Sequence, residues 1–157
     1  MNPAKHPGIP FWHVWTDPEG VSHQSRQELS DFEMQVISAG NTPQWLSPPC
    51  HGDITVLFSV LPVGWRGPWH ENPAPQWVIP ISGAWGVETM DGTKVEMGVG
   101  ELSFGGDQNT KARNGKSGHV SWVVGDEPCQ LMIVQLGEEM ARPSLCLLYT
   151  SPSPRDS

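Results

Sequence analysis

The sequence predicts an all-β domain, a barrel or sandwich of about eight to ten short strands at turn-punctuated spacing. Three observations carry this expectation. Gly and Pro number 17 and 16 in a chain of 157 residues, and both interrupt helix interiors. Apolar residues recur with a period of two in short runs closed by turn-forming residues, the pattern of half-buried strands. No segment sustains a 3.6-residue repeat. A chain of this length makes one domain with room for a real core.

The elements follow in order. Met1 to Pro10 reads as a loose N-terminal segment without the apolar stretch of a signal peptide. Phe11 to Thr16 alternates as a strand, apolar on both faces and so in need of cover on both. Asp17-Pro18-Glu19-Gly20 is a turn, since Pro presets φ and Gly permits a positive one. Val21 to Gln24 and Asp31 to Ser38 are further short strands, and residues 41–52, with Pro43, Pro48 and Pro49, read as a loop. Ile54 to Leu61 is nearly all apolar and predicts a buried strand. A loop rich in Gly, Pro and Trp spans 62–75. Strands follow over 76–82 and 84–90. Asp91-Gly92 then marks a hairpin into 93–97. A strand over 101–104, a polar loop over 105–118, and strands over 119–124 and 129–136 complete the domain.

Charge excludes some functions. The net charge is −8 with nine basic residues, which are scattered. A nucleic-acid surface needs them clustered against phosphate, so no nucleic-acid partner is expected. No apolar run approaches the ~20 residues of a membrane-spanning helix, so no membrane partner is expected either. Cys50, Cys129 and Cys146 are odd in number and widely spaced, and read as neither a disulfide framework nor a zinc site. Cys50 and Cys129 are taken as small buried apolar residues. A cytoplasmic location is the default expectation.

The loop and strands from Gly64 to Gly83 resemble the first motif of the cupin family. His70 takes the first His position of that motif, Asn72 replaces the second His, and Gln76 stands where Glu is usual, seven residues before Gly83. Gly100-Glu101 resembles the opening of the second cupin motif, and His119 matches its His after a longer loop. A closer likeness is to a group of single-domain bacterial cupins, carried by His70, Ala74-Pro75-Gln76-Trp77, Asp107 with Thr110, Gly115 to His119, Gly125-Asp126-Glu127-Pro128, and Asp17 to His23. The resemblance implies a single cupin-type jelly-roll β-barrel over residues 11–136, and a homodimer. Residues 137–157 are left as a tail, in which 146–156 resemble a translated sequencing adapter and are set aside from fold reasoning.

The same resemblance implies a site. His70, Gln76 and His119 match cupin metal-ligand positions, which suits one divalent transition metal such as Fe, Ni, Zn or Mn. Gln76 shares its inward phase with Val78 and Pro80. Its neutral amide is a weaker ligand than the usual Glu. Glu71 or Asp107 would carry protons. Trp65, Trp69, Trp77 and Asn72 would line a pocket at the barrel mouth for a small organic molecule. The alternative is the same pocket without metal, where the two imidazoles hydrogen-bond a ligand. His51 reads as a surface loop residue, His13 carries no assigned task, and His23 reads as a structural residue at a hairpin base.

Overall fold

The computed structural model describes residues 6–137, so the 138–157 stretch and its adapter-like segment lie outside the described residues. Within them there is no helix, and eleven strands appear in chain order. These are β1 (Ile9–Thr16), β2 (Ser22–Leu29), β3 (Glu33–Gln35), β4 (Gln44–Leu46), β5 (Ile54–Leu61), β6 (Gln76–Ser82), β7 (Ala84–Thr89), β8 (Lys94–Met97), β9 (Leu102–Gly106), β10 (His119–Val124) and β11 (Cys129–Leu136).

A six-stranded sheet has the order β2-β1-β9-β6-β11-β5, a three-stranded sheet the order β10-β7-β8, and β3 and β4 form a separate hairpin. All pairs are antiparallel except β1 with β9. The two larger sheets share a core. Val14, Leu61, Val78, Cys129 and Leu131 from the six-stranded sheet pack with Trp85, Val87, Val95 and Met97 from the three-stranded one. Period-two alternation decides which side chains enter it: Trp85 and Val87 on β7, and Val95 and Met97 on β8, share the inward phase. The Asp91-Gly92 turn forms as expected. Gly92 takes φ 88°, and Asp91 Oδ1 accepts from Thr93 N at 3.0 Å.

A second apolar cluster sits on the opposite face of the six-stranded sheet. Phe11, Phe104 and Leu136 are buried there, and Trp77 meets Phe11 and Phe104 edge-on. This cluster covers the outer face of β1, whose inner face sends Val14 into the core. The cover that this strand needs on both faces is therefore supplied by the described residues themselves.

Other expectations need correction. The 41–52 loop contains β4, and β2 runs on to Leu29. Cys50 is exposed rather than buried, because it precedes β5 in a loop beyond either apolar cluster. Above all, β5 is not buried. It is the last strand of its sheet, and only its final residue reaches full burial.

Candidate functional site

The 62–75 loop runs beside β10 as an irregular extra strand. Gly67 N donates to Ser121 O at 3.0 Å and Val123 N to Trp65 O at 2.9 Å. His70 and His119 exchange both backbone hydrogen bonds, each at 2.9 Å. This pairing makes two residues from distant motifs cross-strand neighbours, and their rings lie 4.6 Å apart. Gly118 permits the close approach: it adopts φ 62°, and a Cβ there would run into the His70 carbonyl.

Each imidazole is held through Nδ1. His70 Nδ1 lies 2.8 Å from the Pro68 carbonyl, which can only accept, so Nδ1 carries a proton. His119 Nδ1 lies 2.6 Å from Asp107 Oδ2. Burial opposes the charge on Asp107, but the hydrogen bond and charge of His119, then the two Asn72 N–H groups, outweigh it and hold the carboxyl below its ordinary range. The ionised carboxylate accepts, so Nδ1 of His119 also donates. In the neutral form of either ring, Nε2 is then the nitrogen that carries the lone pair.

Asp107 is fully buried at 0% exposure. Its Oδ1 accepts from Asn72 N at 3.0 Å and from Asn72 Nδ2 at 2.8 Å. Gln76 Nε2 donates to Asn72 Oδ1 at 2.7 Å, and Gln135 Nε2 donates to Gln76 Oε1 at 3.0 Å. Every donor in this chain of amides points toward Asp107, which stabilises its negative charge. Gly105 leaves room for it, since a Cβ there would meet the Asn72 side chain.

These groups border a cavity of about 200 Å³ between the sheets. His70, His119, Asn72, Gln76 and Trp65 line it, with Val14, Val78, Trp85 and Leu131 among its apolar walls. Ser59, Ser103 and Ser121 add hydroxyls. Among the described residues, no Asp, Glu, Lys or Arg lines it.

The structure thus brings His70, Gln76, Asn72, His119 and Trp65 together around one cavity. Asp107 acts from behind His119 and does not line the cavity. Glu71 does not line it either. Its Oε2 accepts from Thr110 N at 2.8 Å and from Thr110 Oγ1, and Thr110 Oγ1 accepts from Gly118 N at 3.0 Å. Glu71 therefore anchors the loop that delivers His119. Trp77 has the opposite phase to Gln76 and Val78 and faces the outer cluster. Trp69 lies under Lys116, 5.4 Å from ring centroid to Nζ. Among the other histidines, His51 is exposed and His13 is buried. His23 bridges two turns, with Nε2 2.7 Å from Asp17 and Nδ1 3.0 Å from Asp91. Sequence reasoning missed Gln135 and the three serines. Their signal is a polar residue on the inward phase of an apolar strand.

No family model matches the chain, and no curated protein matches it. Among solved structures it is similar to protein NMB1881 from Neisseria meningitidis, at 16% identity and TM-score 0.39, over 58% of this chain and 83% of that one. It is also similar to the DMSP lyase DddQ from Ruegeria pomeroyi, at 17% identity and TM-score 0.42, over 69% of this chain and about half (48%) of the lyase. Neither likeness, at these identities and scores, assigns the chain a family or an activity.

Proposed function

We propose that this chain is a cupin-like domain that binds a small neutral molecule in the cavity between its sheets, with His119 as its proton acceptor. The observation that carries the reading is the 2.6 Å contact between His119 Nδ1 and the buried Asp107. That contact directs the His119 Nε2 lone pair away from Asp107 and favours the imidazolium that forms when Nε2 takes a proton. His70 places a second lone pair beside it. Two adjacent acceptors call for a ligand that brings donors, such as hydroxyl groups or an acidic C–H. The apolar walls suit a hydrocarbon body. With no charged side chain among the described lining residues, a charged ligand would lose hydration without finding a counter-charge.

A resident transition metal fits this donor set poorly. Two imidazoles are available, but Gln76 already uses both ends of its amide, and Asp107 is held by His119 and Asn72. Among the described residues no third His, Cys, Asp or Glu joins the pair. The set lacks the anionic group that a two-His, one-carboxylate centre requires.

The test is ligand-observed NMR with three probes on one skeleton: cyclohexane-1,2-diol, cyclohexanecarboxylate and cyclohexylammonium, with elemental analysis of the same sample. The diol should bind the wild type and lose binding in His119→Ala, while neither ion binds. Carboxylate binding accompanied by stoichiometric metal would overturn the reading in favour of a metal centre.

A further inference from the structure

We infer that Asp17, His23 and Asp91 form a proton-controlled latch on the loop that delivers His119, and that, given the cavity reading above, the state of this latch sets the affinity for the ligand. The His23 ring lies between two carboxylates, with Nε2 2.7 Å from Asp17 Oδ2 and Nδ1 3.0 Å from Asp91 Oδ2. Trp15 stacks on its face, with centroids 4.7 Å apart and the planes 20° from parallel. A carboxylate only accepts, so both ring nitrogens must donate, and only the imidazolium has two N–H groups. The neutral ring keeps one of the two bonds and turns a lone pair toward the other carboxylate. The latch is therefore closed while His23 holds both protons, and it loses one arm as the pH rises through the titration of this ring.

Each carboxylate divides its oxygens between His23 and its own turn. Asp17 Oδ1 accepts from Glu19 N at 2.8 Å and from Val21 N at 3.0 Å. Asp91 Oδ1 accepts from Thr89 Oγ1 at 2.6 Å and from Thr93 N at 3.0 Å. Burial opposes the charge on Asp17, but the His23 hydrogen bond and the Val21 and Glu19 N–H groups outweigh it and hold the carboxyl below its ordinary range. Of the charged groups around His23, these two carboxylates bond its ring. Glu19, Lys111 and Arg113 stand at the first turn, and Glu88 pairs with Lys94 beyond the second.

The loop over 107–118 rests on the first turn. Lys111 N donates to Gly20 O at 2.8 Å, and Arg113 Nη2 to Glu19 O at 3.2 Å. Gly20 adopts φ 86°, and a Cβ there would run into Lys111. Ser22, next to His23 and fully buried, accepts through Oγ from Met90 N at 2.8 Å and donates the same hydroxyl to Gly118 O. Gly118 is the residue that lets His119 approach His70. The segment from Asp107 to His119 is thus seated on the latched residues through Lys111, Arg113 and Gly118.

The test compares wild type with Asp91→Asn. The variant keeps Oδ1 for the turn and replaces Oδ2 by an N–H donor, so neutral His23 closes the latch with one donated and one accepted bond. Cyclohexane-1,2-diol binding is followed by ligand-observed NMR from about pH 5.5 to 9, with the His23 ring titrated in the same wild-type sample. The ratio of wild-type to Asp91→Asn affinity should fall roughly fivefold across the His23 titration. The titrations of His70 and His119 are common to both proteins and cancel in this ratio. His23→Phe keeps the stacking on Trp15 but has no donor, and should bind at every pH as weakly as wild type does with its latch open. Hydrogen exchange of the Lys111 amide, compared between proteins at each pH, reads the latch without ligand and should diverge at the same midpoint. A ratio independent of pH would overturn the inference, as would a midpoint away from that of His23. If the diol binds wild type at no pH, the cavity reading fails and Lys111 exchange alone decides the latch. Circular dichroism checks each fold, and if Asp91→Asn does not fold, Asp17→Asn makes the same replacement on the other arm.

Discussion

Replacing Asp107 by alanine tests the anchoring of His119 most severely. The carboxylate is fully buried and accepts three hydrogen bonds, from His119 Nδ1, Asn72 N and Asn72 Nδ2. Alanine leaves all three donors without an acceptor. Each orphaned buried donor costs about 1–3 kcal/mol. The three are neighbours that relax together, so their costs do not add in full. The expected loss is about 3–5 kcal/mol, the range for removing one partner of a buried pair. Asp107→Asn keeps the volume and one acceptor oxygen and should lose only about 1–2 kcal/mol. Urea unfolding at pH 7 measures both. The acid limb separates charge from shape. The Asp107 carboxyl is held below its ordinary 3.8, so its contribution is complete above that pH and is lost as the pH falls through the lower folded value. The gap between wild type and Asp107→Asn should therefore close below pH 3.8. A loss under about 1 kcal/mol for Asp107→Ala at unchanged m-value, or a gap independent of pH, would refute the reasoning.

Further outcomes follow from other residues. Burial pushes the His13 imidazole from 6.5 down to about 4, with the Gln27 hydrogen bond only partly offsetting it. The unfolded chain then takes up a proton before the fold does, so stability drops as pH falls from 6.5 toward 4. His13→Phe, which sits between Phe11 and Phe104, should flatten that part of the pH–stability curve in urea titrations. Gly118→Ala forces a side chain into φ 62° and against the His70 carbonyl. It should cost about 2 kcal/mol or more by the same assay and abolish diol binding. Gln76→Glu loses the N–H given to Asn72 and brings a second carboxylate near Asp107. It should lower stability and raise zinc affinity measured by calorimetry, because it supplies the missing anionic ligand.

Much of this was legible in the residues. The turns at Asp17 to Gly20 and at Asp91-Gly92, the all-β class, and the inward phase of Gln76 follow from local chemistry that tertiary contacts did not override. The same phase argument places Trp77 outside, opposite to its assignment as a pocket residue. Strand β5 shows what local reading lacks. Eight residues with no charge report that both faces want cover, but not whether chain or partner supplies it. Asp107 stands in a polar loop, and nothing local marks it as the most deeply buried carboxylate. That burial depends on Asn72, which lies 35 residues earlier in the chain, and on the amide side chains of β6 and β11.

The central claim is that Asp107 and the Pro68 carbonyl hold both imidazoles with Nδ1 protonated and Nε2 bare toward the cavity. Long-range proton–nitrogen correlation spectra of the imidazole rings, recorded above pH 8 and assigned with His70→Gln and His119→Gln, read this directly. The account predicts the Nδ1–H tautomer for both rings, with Asp107→Asn shifting His119 alone toward Nε2–H. An Nε2–H tautomer for His119 in the wild type would contradict it.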